Sequence, residues 1–289
     1  MKSVIMAGGF GTRLRPLTHN VPKPMIPMAN KPMMEHIVDL LREHGITDLV
    51  TLLHFQPELI EGHFGDGADF GVRMTYVGAT EDYGTAGAVK NAEKYLDGPF
   101  LVISGDVLTD FDLGAAVAFH RERAADLTIL LTRVENPLQY GVVITEPDGR
   151  ISRFLEKPTW SEVFSDTVNT GIYLLEPSVL DLIPPRREFD CSKDLFPVMM
   201  REGRKLFGYV APGYWRDVGD LLEYRLAHQD ILAGTVKVKI PGRKVEGLDK
   251  EIWLGSGTRV DFTAGLRGAV LIGKNTRVEA NARVTNSVI

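Results

Sequence analysis

Residues 2–16, KSVIMAGGFGTRLRP, decide the fold, because a short β-branched run passes directly into a glycine-rich turn. Lys2–Met6 has the composition of a buried first strand, and the glycines that follow it predict a turn. Glycines let the backbone approach a ligand closely, and consecutive backbone N–H groups can point at phosphate oxygens. The turn lacks the Gly-Lys-Ser/Thr ending of a Walker A loop, and Leu14 stands where a dinucleotide fingerprint needs its third glycine. The sequence therefore predicts an anion-binding turn of another type.

Helix-like and strand-like segments alternate beyond this turn. Apolar residues recur at helical spacing from Met33 to Leu41, and Gly45 ends that helix. The next predicted segments are strand Ile46–Phe55, helix Glu58–Phe64, strand Val72–Val77, helix Ala86–Leu96, strand Phe100–Ser104, helix Leu113–Arg123 and strand Leu127–Thr132. This alternation predicts an α/β fold with a doubly wound, mostly parallel (Rossmann-like) sheet.

The pattern changes after this alternation. Tyr140–Thr145 and Ile151–Glu156, joined by the turn Glu146-Pro147-Asp148-Gly149, predict a hairpin added to the sheet. Four more segments complete the first predicted domain, residues 1–233: the strand Thr170–Leu175, then Leu195–Arg201, Lys205–Val210 and Leu221–Leu232.

The C-terminal part follows a six-residue period. Aliphatic residues recur without a break at Leu254, Val260, Leu266, Ile272, Val278 and Val284. A small or β-branched residue follows each of them at plus four, from Thr258 to Val288. This is the signature of a left-handed β-helix built from hexapeptide repeats. We predict a linker over 234–251 and an incomplete β-helix over 252–289, whose exposed coil end favours a homo-oligomer or a longer natural chain.

Composition and charge exclude several classes of protein. Hydrophobic residues make up 44% and charged residues 25% of the 289 residues, which excludes a disordered or fibrous chain. The net charge of −5 argues against a nucleic-acid-binding protein. A single cysteine, Cys191, excludes an internal disulfide framework. No apolar run is long enough to cross a membrane, and the apolar run at the start is too short for a signal peptide. We therefore expect a cytoplasmic protein without membrane contact.

Positive charge is concentrated at the start of the chain. Residues 1–34 contain no Asp or Glu, yet they hold Lys2, Arg13, Arg15, Lys23 and Lys31. A local anion site and a solvated basic loop both fit this pattern. Guanidinium groups at Arg13 and Arg15 suit phosphate geometry. Lys23 lies between two prolines that restrict the backbone, so it is either a rigidly presented ammonium for phosphoryl transfer or an exposed loop lysine.

These motifs together resemble the signature of the sugar-1-phosphate nucleotidylyltransferases. The resemblance rests on Gly8–Thr18, Pro22–Met25, Gly84–Gly87, Ser104–Asp106, Tyr140–Val143, Glu156–Pro158, Asn169–Tyr173 and Tyr214–Gly219. It covers residues 1 to about 233, and a hexapeptide tail is also common in this family. The resemblance implies transfer of a nucleotidyl group from a nucleoside triphosphate to a sugar 1-phosphate, with release of pyrophosphate.

The resemblance also implies roles for individual residues. The catalytic set would be Arg13, Lys23, Asp106 and Asp217. Nucleotide binding would involve Ala7, Gly8, Gly9, Gly11, Thr12, Arg13, Lys23, Gly84, Thr85 and Asp106. Binding of the sugar phosphate would involve Gly141, Glu156, Lys157, Asn169 and Thr170.

Two aspartates match the family's Mg²⁺ ligands. Asp106 follows an apolar strand, at the sheet edge where open α/β sheets bind ligands, and Asp217 precedes a helix. Mg²⁺ prefers few carboxylates together with substrate phosphates. A helix N-cap is the competing interpretation for Asp217, and we expect Asp112 of the Asp110-x-Asp112 pair to be one. The seven histidines show no metal-ligand spacing.

Within the family, the loops around Gly84–Gly87 and Val168–Tyr173 look closest to the mannose-1-phosphate guanylyltransferases, which use GTP. Glucose-1-phosphate nucleotidylyltransferases that use UTP, dTTP or ATP are the alternative. A regulatory subunit that binds nucleotide-sugar without turnover is a second alternative, but the presence of all four catalytic residues favours an enzyme. A glycosyltransferase that consumes nucleotide-sugar would release no pyrophosphate.

Overall fold

The computed structural model describes residues 1–79, 81–163, 165–245 and 251–289. Its helices are α1 (Met33–Glu43), α2 (Pro57–Phe64), α3 (Gly84–Asn91), α4 (Leu113–Glu122), α5 (Phe196–Arg201) and α6 (Leu221–Leu232). Its strands are β1 (Lys2–Met6), β2 (Pro27–Met28), β3 (Lys31–Pro32), β4 (Asp48–Leu53), β5 (Arg73–Gly78), β6 (Phe100–Ser104), β7 (Val107–Thr109), β8 (Leu127–Arg133), β9 (Gly141–Thr145), β10 (Ile151–Glu156), β11 (Thr167–Leu175), β12 (Leu206–Val210), β13 (Trp215–Asp217), β14 (Arg243–Lys244), β15 (Ile252–Leu254), β16 (Arg259–Val260), β17 (Gly265–Ile272), β18 (Arg277–Val278) and β19 (Arg283–Val288).

The central sheet has nine strands in the order β10-β9-β11-β6-β1-β4-β5, with β8 paired to both β11 and β12. β1 pairs in parallel with β4 and β6, and β5 and β12 also pair in parallel with their neighbours. β10 and β11 run against the remaining strands. The predicted mixed α/β fold with a largely parallel sheet is confirmed.

Both faces of this sheet are covered by helices. Val4 of β1 belongs to one hydrophobic core, together with residues of α3 and α5. Its neighbour Ile5 belongs to the opposite core, together with residues of α1, α2 and α4. Neither side chain is exposed to solvent. Because successive residues of β1 face opposite apolar layers, Val4 and Ile5 are both apolar without alternation, as expected for a strand buried on both sides.

Most predicted segments lie within a few residues of the observed ones, and β6 matches its predicted bounds. The predicted helix Ala86–Leu96 is wrong in its second half. Helix α3 ends at Asn91, because the backbone at Ala92 (φ −93°, ψ 2°) leaves α-helical geometry, and a separate single turn covers Glu93–Tyr95.

The C-terminal strands stack on one another in parallel. β15 pairs with β17, which pairs with β19, and β16 pairs with β18. Ile252 is aligned with Val270, and Leu266 with Val284, an offset of three hexapeptides, which falls by one residue where β17 shifts register between Arg267 and Val270. The aliphatic residues at the six-residue period form one cluster there. The predicted linker 234–251 lies partly outside the described residues, and the division into domains stays a prediction.

Two short antiparallel pairs complete the fold, β2 with β3 and β7 with β13. The second pair positions the candidate site. It aligns Asp217 with Val107, which directly follows Asp106. Segments more than a hundred residues apart in sequence are thereby brought to the edge of the sheet where β1 and β6 end.

Candidate active site

The glycine-rich turn packs directly on Lys23. Gly11 has a left-handed backbone (φ +62°), and a Cβ at this position would lie 2.9 Å from the Lys23 Cβ. The Thr18 hydroxyl donates a hydrogen bond to the Gly11 carbonyl oxygen (2.7 Å) and closes the turn. A side chain at Gly11 would therefore be both strained and blocked.

Lys23 is buried between the two predicted metal ligands. Its Nζ donates to Asp106 Oδ2 at 2.5 Å and lies 3.7 Å from Asp217 Oδ1. Only 6% of the residue is exposed, which argues against an ordinary solvent-exposed loop lysine. The Ser104 hydroxyl also hydrogen-bonds Asp106. Three members of the predicted catalytic set, Lys23, Asp106 and Asp217, therefore lie together in the structure.

The pKa values of the two carboxylates are shifted in opposite directions. Burial alone would raise the pKa of Asp106, but the charge and hydrogen bond of Lys23, together with Ser104, hold that pKa below its usual range. Burial, followed by repulsion from Asp106, raises the pKa of Asp217. The raised pKa of Asp217 thus comes from its burial beside a second carboxylate, and a cation held there would favour its ionised form.

Asp217 does not cap the helix that follows it. The N-cap of α6 is Asp220, whose carboxylate accepts from the Glu223 backbone N–H (2.9 Å). The competing interpretation of Asp217 as a helix cap is therefore wrong. Asp112, by contrast, accepts from the Ala115 N–H (2.9 Å) and caps α4 as predicted.

Asp110 has a structural role that the sequence did not reveal. Its carboxylate accepts from the backbone N–H groups of Tyr214 (2.7 Å) and Lys237 (2.9 Å). These bonds tie β13 and the chain beyond α6 to the loop before α4. Asp110 is therefore occupied by backbone partners and does not resemble a metal ligand.

Arg13 faces the same site from the glycine-rich turn. A Cβ at Gly219 would lie 3.3 Å from an Arg13 guanidinium nitrogen, and the positive charge of Arg13 acts on Asp217. The backbone that carries Asp217 is held by its neighbour Arg216. That guanidinium hydrogen-bonds the Tyr214 hydroxyl (2.8 Å) and the Asp230 carboxylate (2.9 Å).

A cavity of about 430 Å³ opens beside Asp106. Five of the predicted nucleotide-binding residues line it, namely Gly8, Gly9, Gly84, Thr85 and Asp106. Sequence reasoning missed other lining residues, among them Phe10, His54, Asn91, Glu188 and Asp190. The ring of Phe10 meets that of His54 edge to face (5.5 Å), and His54 Nδ1 lies 3.1 Å from the Ala79 carbonyl oxygen. No sequence motif indicated this aromatic wall, because its members come from separate loops.

The predicted sugar-phosphate residues lie on β9, β10 and β11. A Cβ at Gly141 would lie 2.5 Å from the ring of Phe154, which packs on Phe196, and 2.9 Å from Glu156 Oε2, so the position favours glycine. Burial raises the pKa of Glu156. Lys157 follows with a left-handed backbone (φ +45°), which is strained for a lysine and typical of functional positions.

Two of the predicted sugar-phosphate residues are already hydrogen-bonded within the protein. The Thr170 hydroxyl is buried and donates to the Leu130 carbonyl oxygen (2.7 Å). Asn169 donates to the Tyr173 hydroxyl (3.0 Å) and accepts from the Gly171 N–H (2.9 Å). The Thr170 hydroxyl therefore supports β11 and has no proton left for a sugar.

The described residues contain no group of three or more His, Cys, Asp and Glu side chains that could hold a metal ion. Asp106 and Asp217 nevertheless fit a divalent ion that takes its other ligands from substrate phosphates. Their carboxylates already converge on one cation, the ammonium of Lys23. None of the helices in the described ranges is long and apolar enough to cross a bilayer.

Similarity to known proteins covers nearly the whole chain. The sequence profile described as Nucleotidyl transferase matches residues 2–234. The UTP–glucose-1-phosphate uridylyltransferase of Synechocystis sp. is 36% identical over 322 residues, covering 100% of this chain and 82% of that protein. The mannose-1-phosphate guanylyltransferase of Mycobacterium tuberculosis is 34% identical over 289 residues, covering 99% and 79%. Among solved structures, HddC from Yersinia pseudotuberculosis has a TM-score of 0.69 at 25% identity, covering 80% of this chain and 99% of that one.

Proposed function

Because the chain belongs to the nucleotidyl transferase family and is a sugar-1-phosphate nucleotidyltransferase, we propose that it transfers the guanylyl group of GTP to mannose 1-phosphate. A phosphate oxygen of the sugar phosphate attacks the α-phosphorus, and the bond from that phosphorus to the bridging oxygen breaks. GDP-mannose and pyrophosphate are the products. The observation that carries the proposal is the convergence of Lys23, Asp106 and Asp217 beside a cavity large enough for a nucleoside.

The reaction brings two anions together, so fixed positive charge is its main requirement. We assign this role to Lys23 and Arg13, which would hold the triphosphate and stabilise the charge that develops on its oxygens. Lys23 suits the role because the packing of Gly11 and the flanking prolines fix its backbone. Glu156 and Lys157 would hold the sugar hydroxyls and the sugar phosphate.

Members of this family generally use divalent metal ions, and we propose Mg²⁺ as the ion used here. Asp106 and Asp217 would hold it. When bound, Mg²⁺ would neutralise phosphate charge and polarise the α-phosphoryl group.

The choice of guanine rests on the acceptors around the cavity. Among the described residues that line it there is no lysine or arginine. Asp106 is assigned to the metal and Asp190 is hydrogen-bonded within the protein, which leaves the carboxylates of Glu81, Asp82 and Glu188 as acceptors. Ionised carboxylates only accept hydrogen bonds. Guanine offers two adjacent donors on one edge, N1–H and the N2 amino group. Uracil and thymine offer one donor between two carbonyl oxygens, which carboxylates repel.

The second candidate is a glucose-1-phosphate uridylyltransferase, because the relative from Synechocystis sp. bears that name and covers the whole chain. A matrix of GTP, UTP, dTTP and ATP against mannose 1-phosphate and glucose 1-phosphate, followed by pyrophosphate release, separates the two. We expect GTP with mannose 1-phosphate to give the highest kcat/KM. Highest activity with UTP and glucose 1-phosphate would replace the proposal by the second candidate. Binding without pyrophosphate release from any pair would indicate a regulatory subunit.

One variant tests directly whether a carboxylate of the cavity wall recognises the base. Glu188→Gln replaces a carboxylate of the cavity wall by an amide, and we expect it to lower the preference for GTP over UTP by about fivefold or more. Glu122→Gln, exposed on α4, is the matched control and should leave the preference unchanged. An unchanged preference in Glu188→Gln would contradict the proposal that this carboxylate accepts hydrogen bonds from the base.

Three further predictions belong with this function. We propose that the stacked C-terminal strands are coils of a left-handed β-helix and that they hold a homo-oligomer together. We also propose a cytoplasmic enzyme whose partners are its two small-molecule substrates, without nucleic acid or membrane. The offset of three hexapeptides between β15 and β17, and between β16 and β18, supports the first of these.

A further inference from the structure

A segment that no sequence motif singled out, residues 187–195, crosses the site behind α3. The Gly87 N–H donates to the Phe189 carbonyl oxygen, and the Phe189 N–H donates to the Tyr83 carbonyl oxygen, both at 2.9 Å. A Cβ at Gly84 would lie 2.9 Å from the Phe189 oxygen, and one at Gly87 would lie 2.6 Å from that of Arg187. The glycines of the Gly84–Gly87 motif are therefore needed to seat this segment, whatever room they also leave for a base.

Asp190, the next residue, is bonded to the predicted nucleotide loop. Its Oδ2 accepts from the Thr85 hydroxyl (2.9 Å), and the same hydroxyl accepts from the Cys191 N–H (2.8 Å). The Thr85 hydroxyl therefore gives its proton to one partner inside the protein and accepts from another. Thr85 contributes to the cavity wall through its position, and its hydroxyl holds the segment rather than a ligand.

The other end of the segment reaches the predicted sugar site. The Asp190 Oδ1 accepts from the N–H groups of Ser192 (2.8 Å) and Lys193 (3.1 Å), which fixes the turn Cys191–Leu195. This turn contacts β10, which ends at Glu156. The Ser192 hydroxyl and the Lys193 charge both act on the Glu156 carboxylate. One carboxylate thus sits between the loop that lines the nucleoside cavity and the residue assigned to the sugar.

We propose that Asp190 is a positioning residue that sets the nucleotide site and the sugar-phosphate site relative to each other. The proposal rests on the proposed function, since it concerns the two substrates of that reaction. The simpler alternative is that Asp190 only caps the turn Cys191–Leu195. A cap needs Oδ1 alone, whereas Oδ2 is used for Thr85, 105 residues away in sequence.

The variant Asp190→Asn separates the two roles. Asparagine is as good an N-cap as aspartate, so its side-chain oxygen can keep the bonds to Ser192 and Lys193. Its amide NH₂ cannot accept from the Thr85 hydroxyl. Asp194→Asn is the matched control, because Asp194 lies in the same turn and accepts from the Asp190 N–H (2.7 Å) without touching Thr85.

The full chain is assayed for KM and kcat with both substrates, and for dissociation constants of GTP and mannose 1-phosphate by calorimetry. We expect Asp190→Asn to raise KM and Kd for both substrates by about fivefold or more, the effect of losing one hydrogen bond to a charged group, with a smaller change in kcat. Thr85→Val should give the same pattern, and the double variant should add little to either single change. Asp194→Asn should leave both KM values within about twofold, since it keeps the Thr85 bond.

Three results would overturn the proposal: both aspartate variants behaving alike, no change in either KM, or a change for one substrate only. Failure of the proposed function looks different. The wild-type protein would then release no pyrophosphate from GTP and mannose 1-phosphate, and the substrate pair that it does use in the matrix would serve for the same comparison. If it used no pair, calorimetry with GTP and with mannose 1-phosphate would decide alone. The proposal would then require that Asp190→Asn lose binding of both.

Discussion

Replacing Lys23 by methionine tests the centre of the site. Methionine keeps most of the buried volume but removes the ammonium between Asp106 and Asp217. A preorganised donor to a developing charge contributes about 10²–10³ in kcat, so we expect a loss of that size in Lys23→Met. The same change leaves the partly buried Asp106 carboxylate without its cation, which should lower the free energy of unfolding by about 1–3 kcal/mol.

The chain offers a matched control for this experiment. Lys31 is 5% exposed and is paired with Asp39 on α1, outside the site. Lys31→Met should lower the free energy of unfolding by a similar amount and leave kcat within about threefold. Pyrophosphate release at saturating substrate measures kcat, and urea unfolding measures stability. A folded Lys23→Met protein with a kcat within threefold of wild type would refute the catalytic assignment of Lys23.

Four further predictions follow from the structure. Asp106→Asn and Asp217→Asn should each raise the Mg²⁺ concentration that gives half-maximal activity, and unchanged Mg²⁺ titrations would contradict the ligand assignment. Burial lowers the pKa of His36 from 6.5 to about 3. Between these values the unfolded chain binds a proton that the folded protein does not bind, so the free energy of unfolding falls as the pH drops below 6.5. At pH 5 this lowers the free energy of unfolding by about 2 kcal/mol. In urea unfolding, the variant His36→Gln should therefore lose correspondingly less stability than wild type between pH 7.5 and 5. Gly87→Ala should lower the melting temperature, because its Cβ would lie 2.6 Å from a backbone oxygen, whereas Gly62→Ala meets nothing within 4 Å and is the control. Light scattering at high concentration should give a mass above that of one chain, and a clean monomer would contradict the proposed oligomer.

The fold was predictable from sequence where local chemistry settles it. The centres of β1 and β6, Val4–Ile5 and Phe100–Ile103, are continuous apolar runs because both of their faces are buried, and such runs are visible in the sequence. The approach of Asp106 to Asp217 was not predictable from spacing, since it depends on the pairing of β7 with β13. The family resemblance supplied that pair of residues, but not the reason for their proximity.

The roles of individual side chains were harder to predict. Thr85 and Thr170 both fit a ligand-binding interpretation in the sequence, yet each hydroxyl is committed to a partner at least 40 residues away. Such partners depend on tertiary packing and leave no local pattern. The same reason hid Asp190, whose neighbours in sequence form no motif that indicates a link to α3.

The stacking of the C-terminal strands decides how that region can change in length. β15 is offset from β17, and β16 from β18, by eighteen residues, or three hexapeptides. Eighteen further residues would therefore add one whole layer in the same alignment. A difference of one residue is accommodated locally, because the offset of β17 from β19 falls to seventeen between Arg267 and Val270, yet Ile272 stays buried in the apolar cluster. The region can thus lengthen by complete layers and absorb a single residue at a shift in register.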